Sequence, residues 1–497
     1  MGVVIKQSFW GTVLAYLGVV VGYLNTLYFR AEYLELSQIG LFTLITANAM
    51  MVSPISSFGM ASSFIKFFPT FQEGERNRFF SFLFLVTLIG NTLILIVGYF
   101  LKDAIAARYI ETAPEYIDYL SITAIIIVSN SLFDLFFSFS RTIMKVIFPS
   151  FLREVYLRLG SLLLVIGFAF EWWNFDMAVS GLGIVYSLAF IFLFAQLIIE
   201  HDFRFDFHFG IITQEWRGKL IRFGSYSMAL AGSFAIINNI SYDQITAQLG
   251  SAMNGIFNTC FFIAVIVEMP RRNMSKVLSP VISSEFARQN MKEVDSLFKR
   301  GSITMSVIGV LLFIGIITNL QDLFNFIPKG SEFQAGFWVV VGVCFAKLVL
   351  MVSSFAGEII NFSHLYRYNL LFQLIAAGVL ITLNYYLISL WGINGAVISY
   401  VIAILFHICL KVGFVWYHFK IQPMVKSHLP LFIIGTFIGL AAFFFQPSWH
   451  PVVSIIIRSI LTATIFTIMV YRFQISPDIN KLIHSTFERF FKINLPK

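Results

Sequence analysis

Long apolar runs broken by short clusters of charge set the rhythm of this chain. Windows of about 19–20 residues pick out fourteen stretches long enough to cross a bilayer: 7–29, 39–65, 79–101, 116–139, 153–173, 178–199, 220–242, 251–270, 301–321, 336–357, 367–390, 394–417, 430–446 and 452–472. Pro54 and Pro270 interrupt the second and the eighth. The pattern predicts an all-α integral membrane protein of about 14 transmembrane helices. From Pro477 onward the pattern changes. Ile479, Leu482, Ile483, Phe487, Phe490 and Phe491 alternate with Lys481, Glu488, Arg489 and Lys492, the spacing of an amphipathic helix lying on the inner membrane surface.

Composition agrees with a membrane. Of 497 residues, 58% are hydrophobic and 12% charged, with a mean hydropathy of +0.82, whereas soluble domains carry about 25% charged residues. Cys260, Cys344 and Cys409 all fall in apolar runs and read as small buried residues, with no disulfide framework. Met1 to Lys6 is short and no small-residue cleavage pattern follows, so the first helix is expected to be retained. With the N-terminus on the cytoplasmic side, only Arg30, Lys102, Arg108 and Lys329 fall in outside loops, while Lys347 and Arg458 lie within spans. Every other Lys and Arg is assigned to the inside, as the positive-inside rule requires. The net charge of +8 is therefore an orientation signal toward anionic membrane lipids, and nucleic acid is excluded as a partner.

The first twelve spans can be laid over each other as two sets of six. IGLF at 39–42 matches GIF at 255–257, pairing Gly40 with Gly255. Pro54 pairs with Pro270, and SGLGIVYS at 180–187 with INGAVIS at 393–399, at nearly one offset. This predicts an N-terminal lobe over 1–215, a C-terminal lobe over 216–425, two additional helices over 426–475, and the amphipathic tail over 476–497. An even number of spans per repeat places the pseudo-axis along the membrane normal, an arrangement used for alternating access. Paired helix interruptions at Pro54 and Pro270 are then candidate hinges near a central site.

Several stretches carry a resemblance. AYLGVVVGYLNTLYF, LSQIGLFTL and SSFGMASSFIKFFPTF resemble the first two helices of bacterial polysaccharide (O-antigen) flippases of the Wzx type. SYDQITAQLGSAMNGIFNTCFF resembles their seventh-to-eighth helix passage, and NYYLISLWGINGAVISYVIA their helices eleven and twelve. The family belongs to the multidrug/oligosaccharidyl-lipid/polysaccharide exporter superfamily. The resemblance implies a flippase in the bacterial cytoplasmic (inner) membrane, with both termini cytoplasmic. Its substrate would be an undecaprenyl-pyrophosphate-linked oligosaccharide for polysaccharide or lipopolysaccharide biosynthesis, moved through a cationic cavity between lobes. Other polysaccharide-assembly proteins are implied partners. Related flippases for lipid-linked precursors carry arginines in the first helix; this chain has none between Lys6 and Arg30.

The candidate site residues follow from charge placed where lipid would penalise it. Lys347 lies about ten residues from either end of GFWVVVGVCFAKLVLMVSSFAG, roughly 15 Å at 1.5 Å per residue. Leaving it in lipid costs about 2.5–3.5 kcal/mol or more. Cavity water and an anionic substrate answer that cost, as does an ion pair with Asp134 or Glu358. Arg271, Arg272 and Lys276 follow Pro270 and can grip a diphosphate through charge-assisted hydrogen bonds, although inside positive charge is expected there anyway. Lys66 is the matching cation of the first lobe, near the inner mouth. Asp134 and Glu268 are membrane-embedded carboxylates able to take a coupling H+ or Na+. Arg458 is expected to snorkel outward, Asp243 to sit at the outer interface, and His407 to be a packing residue. No HExxH, GxSxG, P-loop or CxxC pattern occurs, so no catalytic residue, metal or cofactor is assigned and an enzyme is not expected. Two rival functions remain: a cation-coupled multidrug exporter, generally of twelve helices, and an oligosaccharide polymerase or acyltransferase, for which a large outside loop is missing.

Overall fold

The computed structural model describes residues 2–491 except His201, Asp202, Gln446, Ser448 and Trp449. Among the described residues there is helix and no strand. Twelve helical segments are long and apolar enough to cross a membrane, and His428–Phe444 is a shorter apolar helix. The expected fifth span takes a different form. Ile147–Phe151 and Leu157–Ala169 are joined by a π-helical turn, Leu152–Tyr156, that holds Arg153 and Glu154. Several helices run well past the expected spans because polar residues cap their first turns. The Thr213 side chain accepts from the Trp216 N–H, that of Asn290 from the Glu293 N–H, and Gln72 with Glu75 forms a reciprocal capping box.

The chain divides into two compact units, Met1–Asn258 and Thr259–Lys497. The first contains α1 (Gly2–Tyr23), α2 (Leu36–Ser56), α3 (Glu73–Phe100), α4 (Leu120–Thr142), α5 (Leu157–Ala169), α6 (Phe175–Ile199) and α7 (Gln214–Leu249). The dividing point falls within α8 (Ser251–Val265), later than the repeat boundary read after residue 215, because α7 packs along α2. Helix α2 also lies against α4, which packs on α6. A phenylalanine-rich core lies between the short helix Met60–Phe67, α3, α4 and α6: Phe64 stacks on Phe139 at 5.6 Å between centroids, and Phe80 meets Phe136 edge-on at 5.1 Å. Residues 203–208 form no regular element; Phe203 is buried in that core and Phe205 lies against it at 4.7 Å. Arg204, Asp206 and His208 alternate with the rings. Asp206 accepts from Arg78 Nε at 2.8 Å and contacts His208 Nδ1 at 2.6 Å, and these bonds hold its carboxyl well below the usual carboxylate range.

The second unit contains α9 (Met269–Ala287), α10 (Met291–Phe326), α11 (Phe337–Ser353), α12 (Ala356–Phe362), α13 (Arg367–Trp391), α14 (Ile393–Phe419), α15 (His428–Phe444), α16 (Pro451–Arg472) and α17 (Pro477–Phe491). Helix α10 is its axis, packed by α11, α15 and α16, while α11 also lies on α14. Within the stretch expected as an amphipathic tail, Pro477–Phe491 is helical, α17, tied to α10 by Arg300 Nη2 on Asp478 Oδ1. Lys492 and the rest of that expectation lie outside the described residues. Cys260 and Cys344 are buried as expected; Cys409 is exposed on α14, a correction, since its face of the helix is left uncovered among the described residues.

Within the first unit the two repeat-matched glycines meet. A Cβ on Gly40 would stand 1.8 Å from the Ser251 carbonyl oxygen, and one on Gly255 would stand 2.2 Å from the Leu36 carbonyl oxygen. Leu36 precedes Gly40 by the same four positions that separate Ser251 from Gly255. The contact is thus reciprocal, each helix start seating the other's glycine, and no side chain fits at either position.

Candidate functional site: basic clusters inside the spans

Chain breaks, more than regular helix, place the charged side chains. Helix α8 ends at Val265, a 3₁₀ turn covers Ile266–Glu268, and α9 begins at Met269 with Pro270 in its first turn. Proline suits that position because its missing N–H is not needed there. The turn delivers Glu268 into the second unit with its side chain 6% exposed. Glu268 Oε2 accepts from Lys347 Nζ at 2.6 Å, and the lysine side chain is 4% exposed. Glu268 Oε1 accepts from Arg271 Nη2 at 2.8 Å and lies 3.3 Å from Arg272 Nε. The expected partners of Lys347, Asp134 or Glu358, are corrected to Glu268. The ammonium is enclosed rather than open to water, with the Tyr400 and Phe261 rings 5.6 and 5.9 Å away.

Arg271 links this pair to a second carboxylate. Its Nη1 donates to the Ser354 carbonyl at 3.4 Å and lies 4.0 Å from Glu358 Oε1, which also accepts from the Ser275 hydroxyl. Ser354 joins α11 to α12 with φ +30°, a conformation costly for a residue with a Cβ. Lys411 of α14 completes the group, within electrostatic reach of Glu358 and Arg271, its Nζ 3.4 Å from where a Gly357 Cβ would stand. Among the described residues, the carboxylates facing Lys347, Arg271, Arg272 and Lys411 are Glu268 and Glu358, an excess of positive charge. It grades outward from buried Lys347 to Arg272, whose side chain is 48% exposed.

A similar excess occurs in the first unit. The π-helical turn Leu24–Phe29 continues α1, and the turn Leu152–Tyr156 precedes α5. Such turns rotate side chains out of helical register, frequently at functional positions. Arg30 Nη2 donates to Ser161 Oγ at 2.7 Å, and Asn25 Nδ2 reaches the same oxygen at 3.3 Å. Arg153 pairs with Asp134, and Arg158 with Glu154 at 3.5 Å. Arg30, Arg153 and Arg158 all lie within electrostatic reach of the Tyr186 phenol on α6, and Arg141 of Arg153 and Asp134. Arg30 Nε and Arg158 Nη1 are enclosed with no hydrogen-bond partner among the described residues.

The remaining sequence candidates are placed as follows. Pro54 stands two residues before the end of α2, and Phe58 and Gly59 then turn left-handed at φ +50° and +70° before Met60–Phe67 begins. Gly59 is required there: a Cβ would also meet the Gly224 carbonyl oxygen at 2.4 Å. Lys66, on that short helix, is exposed with its Nζ 3.7 Å from the Phe223 ring centroid. Lys276 is exposed on α9 and is not drawn into the Glu268 group. Arg458 corrects an expectation: it turns inward, 3% exposed, donating to the Thr318 carbonyl at 2.6 Å and lying 3.0 Å from Asp322. Asp322 on the neighbouring α10 gives it an internal counter-charge that snorkelling would forfeit. Asp243 is likewise buried, paired with Arg108 at 2.6 Å and hydrogen-bonded by Tyr109. His407 is buried as a packing residue would be.

Sequence reasoning missed Lys411, Arg30, Arg153 and Arg158. Lys411 falls inside the expected span 394–417 but is counted there with the inside charges, although the argument that singled out Lys347 applies to it equally. Arg153 fell at the first residue of its expected span and was discounted with the inside charges. No sequence periodicity announces the π-helical turns that gather the arginines.

These observations define a class: an all-α, multi-pass membrane protein with basic clusters inside its spans. No protein-family model and no curated protein matches the sequence. Solved structures are similar in fold. The chain matches the lipid II flippase MurJ in an inward closed conformation with a TM-score of 0.77 at 13% identity, over 94% of this chain and 99% of that one. It matches an inward-facing multidrug resistance MATE family transporter of the MOP superfamily with a TM-score of 0.62 at 13% identity, over 82% and 94%. The outward-facing form of such a transporter matches with a TM-score of 0.56 at 12% identity, over 84% and 95%. The fold is the one shared by MurJ and the MATE transporters.

Proposed function

We propose that the protein is a flippase that moves an undecaprenyl-pyrophosphate-linked oligosaccharide across the bacterial inner membrane by alternating access, as a non-enzymatic step of polysaccharide biosynthesis. The observation that carries this reading is the excess of cation around Glu268. Lys347, Arg271, Arg272 and Lys411 share two carboxylates inside a membrane segment. Charge of one sign, gathered where lipid penalises it, is best answered by a mobile ligand of the opposite sign, and a diphosphate supplies that charge with oxygens for arginine to fork onto. The MurJ likeness over nearly the whole chain supports a lipid-linked substrate. The two repeats, 1–215 and 216–425, would form the moving lobes, with 426–475 as added helices and the breaks at Pro54 and Pro270 as hinges. Lys66 and Lys276 would act at the inner mouth. Asp134 and Glu268 would take a coupling H+ or Na+ only when released from Arg153 and Lys347.

The MATE likeness supports a second reading, export of cationic drugs. It fits the clusters less well, since Asp134 and Glu268 are already engaged by cations. Lipid-linked sugars extracted from a deletion strain test the choice. Complete lipid-linked units held on the inner face support flipping. Single units exported normally indicate a polymerase, and an unchanged lipid-linked pool with heightened sensitivity to cationic drugs supports the second reading.

A further inference from the structure

The first unit holds a cavity of about 840 Å³ between α2, α3, α4 and the end of α7, lined by no residue of either basic cluster. Its inner end is polar and built. Arg108 Nη2 lies 2.6 Å from Asp243 Oδ2, the Tyr109 hydroxyl donates to the same carboxylate, and Asn48 Nδ2 donates to the Tyr116 hydroxyl at 3.0 Å. Asn48 Oδ1 is enclosed with no hydrogen-bond partner among the described residues. The walls are apolar, formed by Ile94 and Leu95 of α3 and by Leu120 and Ile127 of α4.

The charge on the lining is divided. Arg108 and Asp243 answer each other. Lys102 and Asp118 also line the cavity, both exposed, and neither takes part in an ion pair among the described residues. A matching ligand therefore needs an apolar body, one negative and one positive group on its head, and an N–H or O–H donor for the Asn48 oxygen. A polyprenyl diphosphate fails this match, because its head is anionic throughout and would lie against Asp118.

We propose that this cavity binds a zwitterionic phospholipid of the ethanolamine type, with its phosphate at Lys102, its ammonium at Asp118 and one acyl chain between α3 and α4. The ethanolamine ammonium retains N–H donors, which a trimethylammonium head lacks. The chain fits the walls because burying methylene groups against apolar side chains is favourable wherever water is displaced. The proposal uses no residue of the basic clusters and requires only that the protein sits in a membrane.

The test uses the purified full-length protein in maltoside detergent, incubated separately with dioleoyl phosphatidylethanolamine, phosphatidylglycerol or phosphatidylcholine. Retained lipids are counted by native mass spectrometry. One retained phosphatidylethanolamine, about fivefold over either other lipid, is expected. Gly98 lines the cavity and no atom lies within 4 Å of where its Cβ would stand, so Gly98→Phe starts its side chain in open space and should abolish retention. Asp118→Lys, at an exposed position, should shift retention to phosphatidylglycerol while leaving the thermal midpoint unchanged. Equal retention of all three lipids, or undiminished retention by a folded Gly98→Phe variant together with an unshifted Asp118→Lys, overturns the proposal.

Discussion

Lys347 has one carboxylate partner, and that partner has two further cations. This asymmetry makes the two halves of the pair unequal under substitution. Glu268→Gln strands an enclosed ammonium and takes the shared acceptor from Arg271 and Arg272, a loss of about 3–5 kcal/mol by the usual cost of breaking a buried pair. Lys347→Met leaves Glu268 bonded to both arginines and removes a charge from the membrane, so it should assemble nearly as well as the parent. Thermal unfolding in detergent should therefore place Glu268→Gln well below Lys347→Met; equal midpoints would refute the shared-carboxylate account. The sequence made Lys347 and Glu268 visible separately, as charges inside apolar runs. It did not make them visible as partners, because the two lie far apart in the chain and meet only where a 3₁₀ turn redirects one of them. Arg458 was legible as an embedded charge and illegible in its direction, since Asp322 on α10 had no marker of its own.

At the scale of the element, glycines and alternating phenylalanines carry consequences that helix counting does not. Gly40 and Gly255 each face a backbone oxygen of the other helix's first turn. Gly40→Val and Gly255→Val should each lower stability by about 1–3 kcal/mol or more through overpacking. They should act less than additively, because one displacement relieves both. A thermal-shift measurement on the singles and the double checks this; fully additive losses would mean the two glycines do not share a contact. The segment after α6 makes a different prediction. Its Asp206 carboxyl is held below the usual range by Arg78 and His208, so the latch is intact above the ordinary aspartate range and is lost only as pH falls below about 4. Protection factors across 203–209, taken relative to the intrinsic exchange rate at each pH, should hold from pH 7 to about pH 5 and fall under stronger acid, whereas Asp206→Asn should be less protected at neutral pH. The pairing of Gly40 with Gly255 was present in the sequence as a repeat. The alternation of Phe203, Phe205, Phe207 and Phe209 is equally open to reading, but it lies between two apolar spans, where windows of span length do not register it.

For the whole molecule, fourteen expected stretches correspond to twelve long apolar helices, one shorter one and one broken by a π-helical turn. Apolar length is a strong signal because the bilayer leaves helices little alternative, so the all-α architecture was legible before any coordinates. The basic clusters were only half legible, since lipid penalises each charge individually while geometry decides which charges meet. The orientation proposed here predicts that reporters fused after residues 74, 148, 210, 292 and 424 report cytoplasm and those after 34, 110 and 330 report outside, with a single inversion enough to discard it. The most direct measurement of the central claim is translocation itself. The purified protein is reconstituted into vesicles with a polyprenyl-diphosphate oligosaccharide, and the sugar reaching the opposite leaflet is counted with a membrane-impermeant lectin or glycosidase. The parent protein should move it at least tenfold faster than empty vesicles, with Lys347→Met folded and near background. No acceleration by the parent, or full transport by Lys347→Met, contradicts the account.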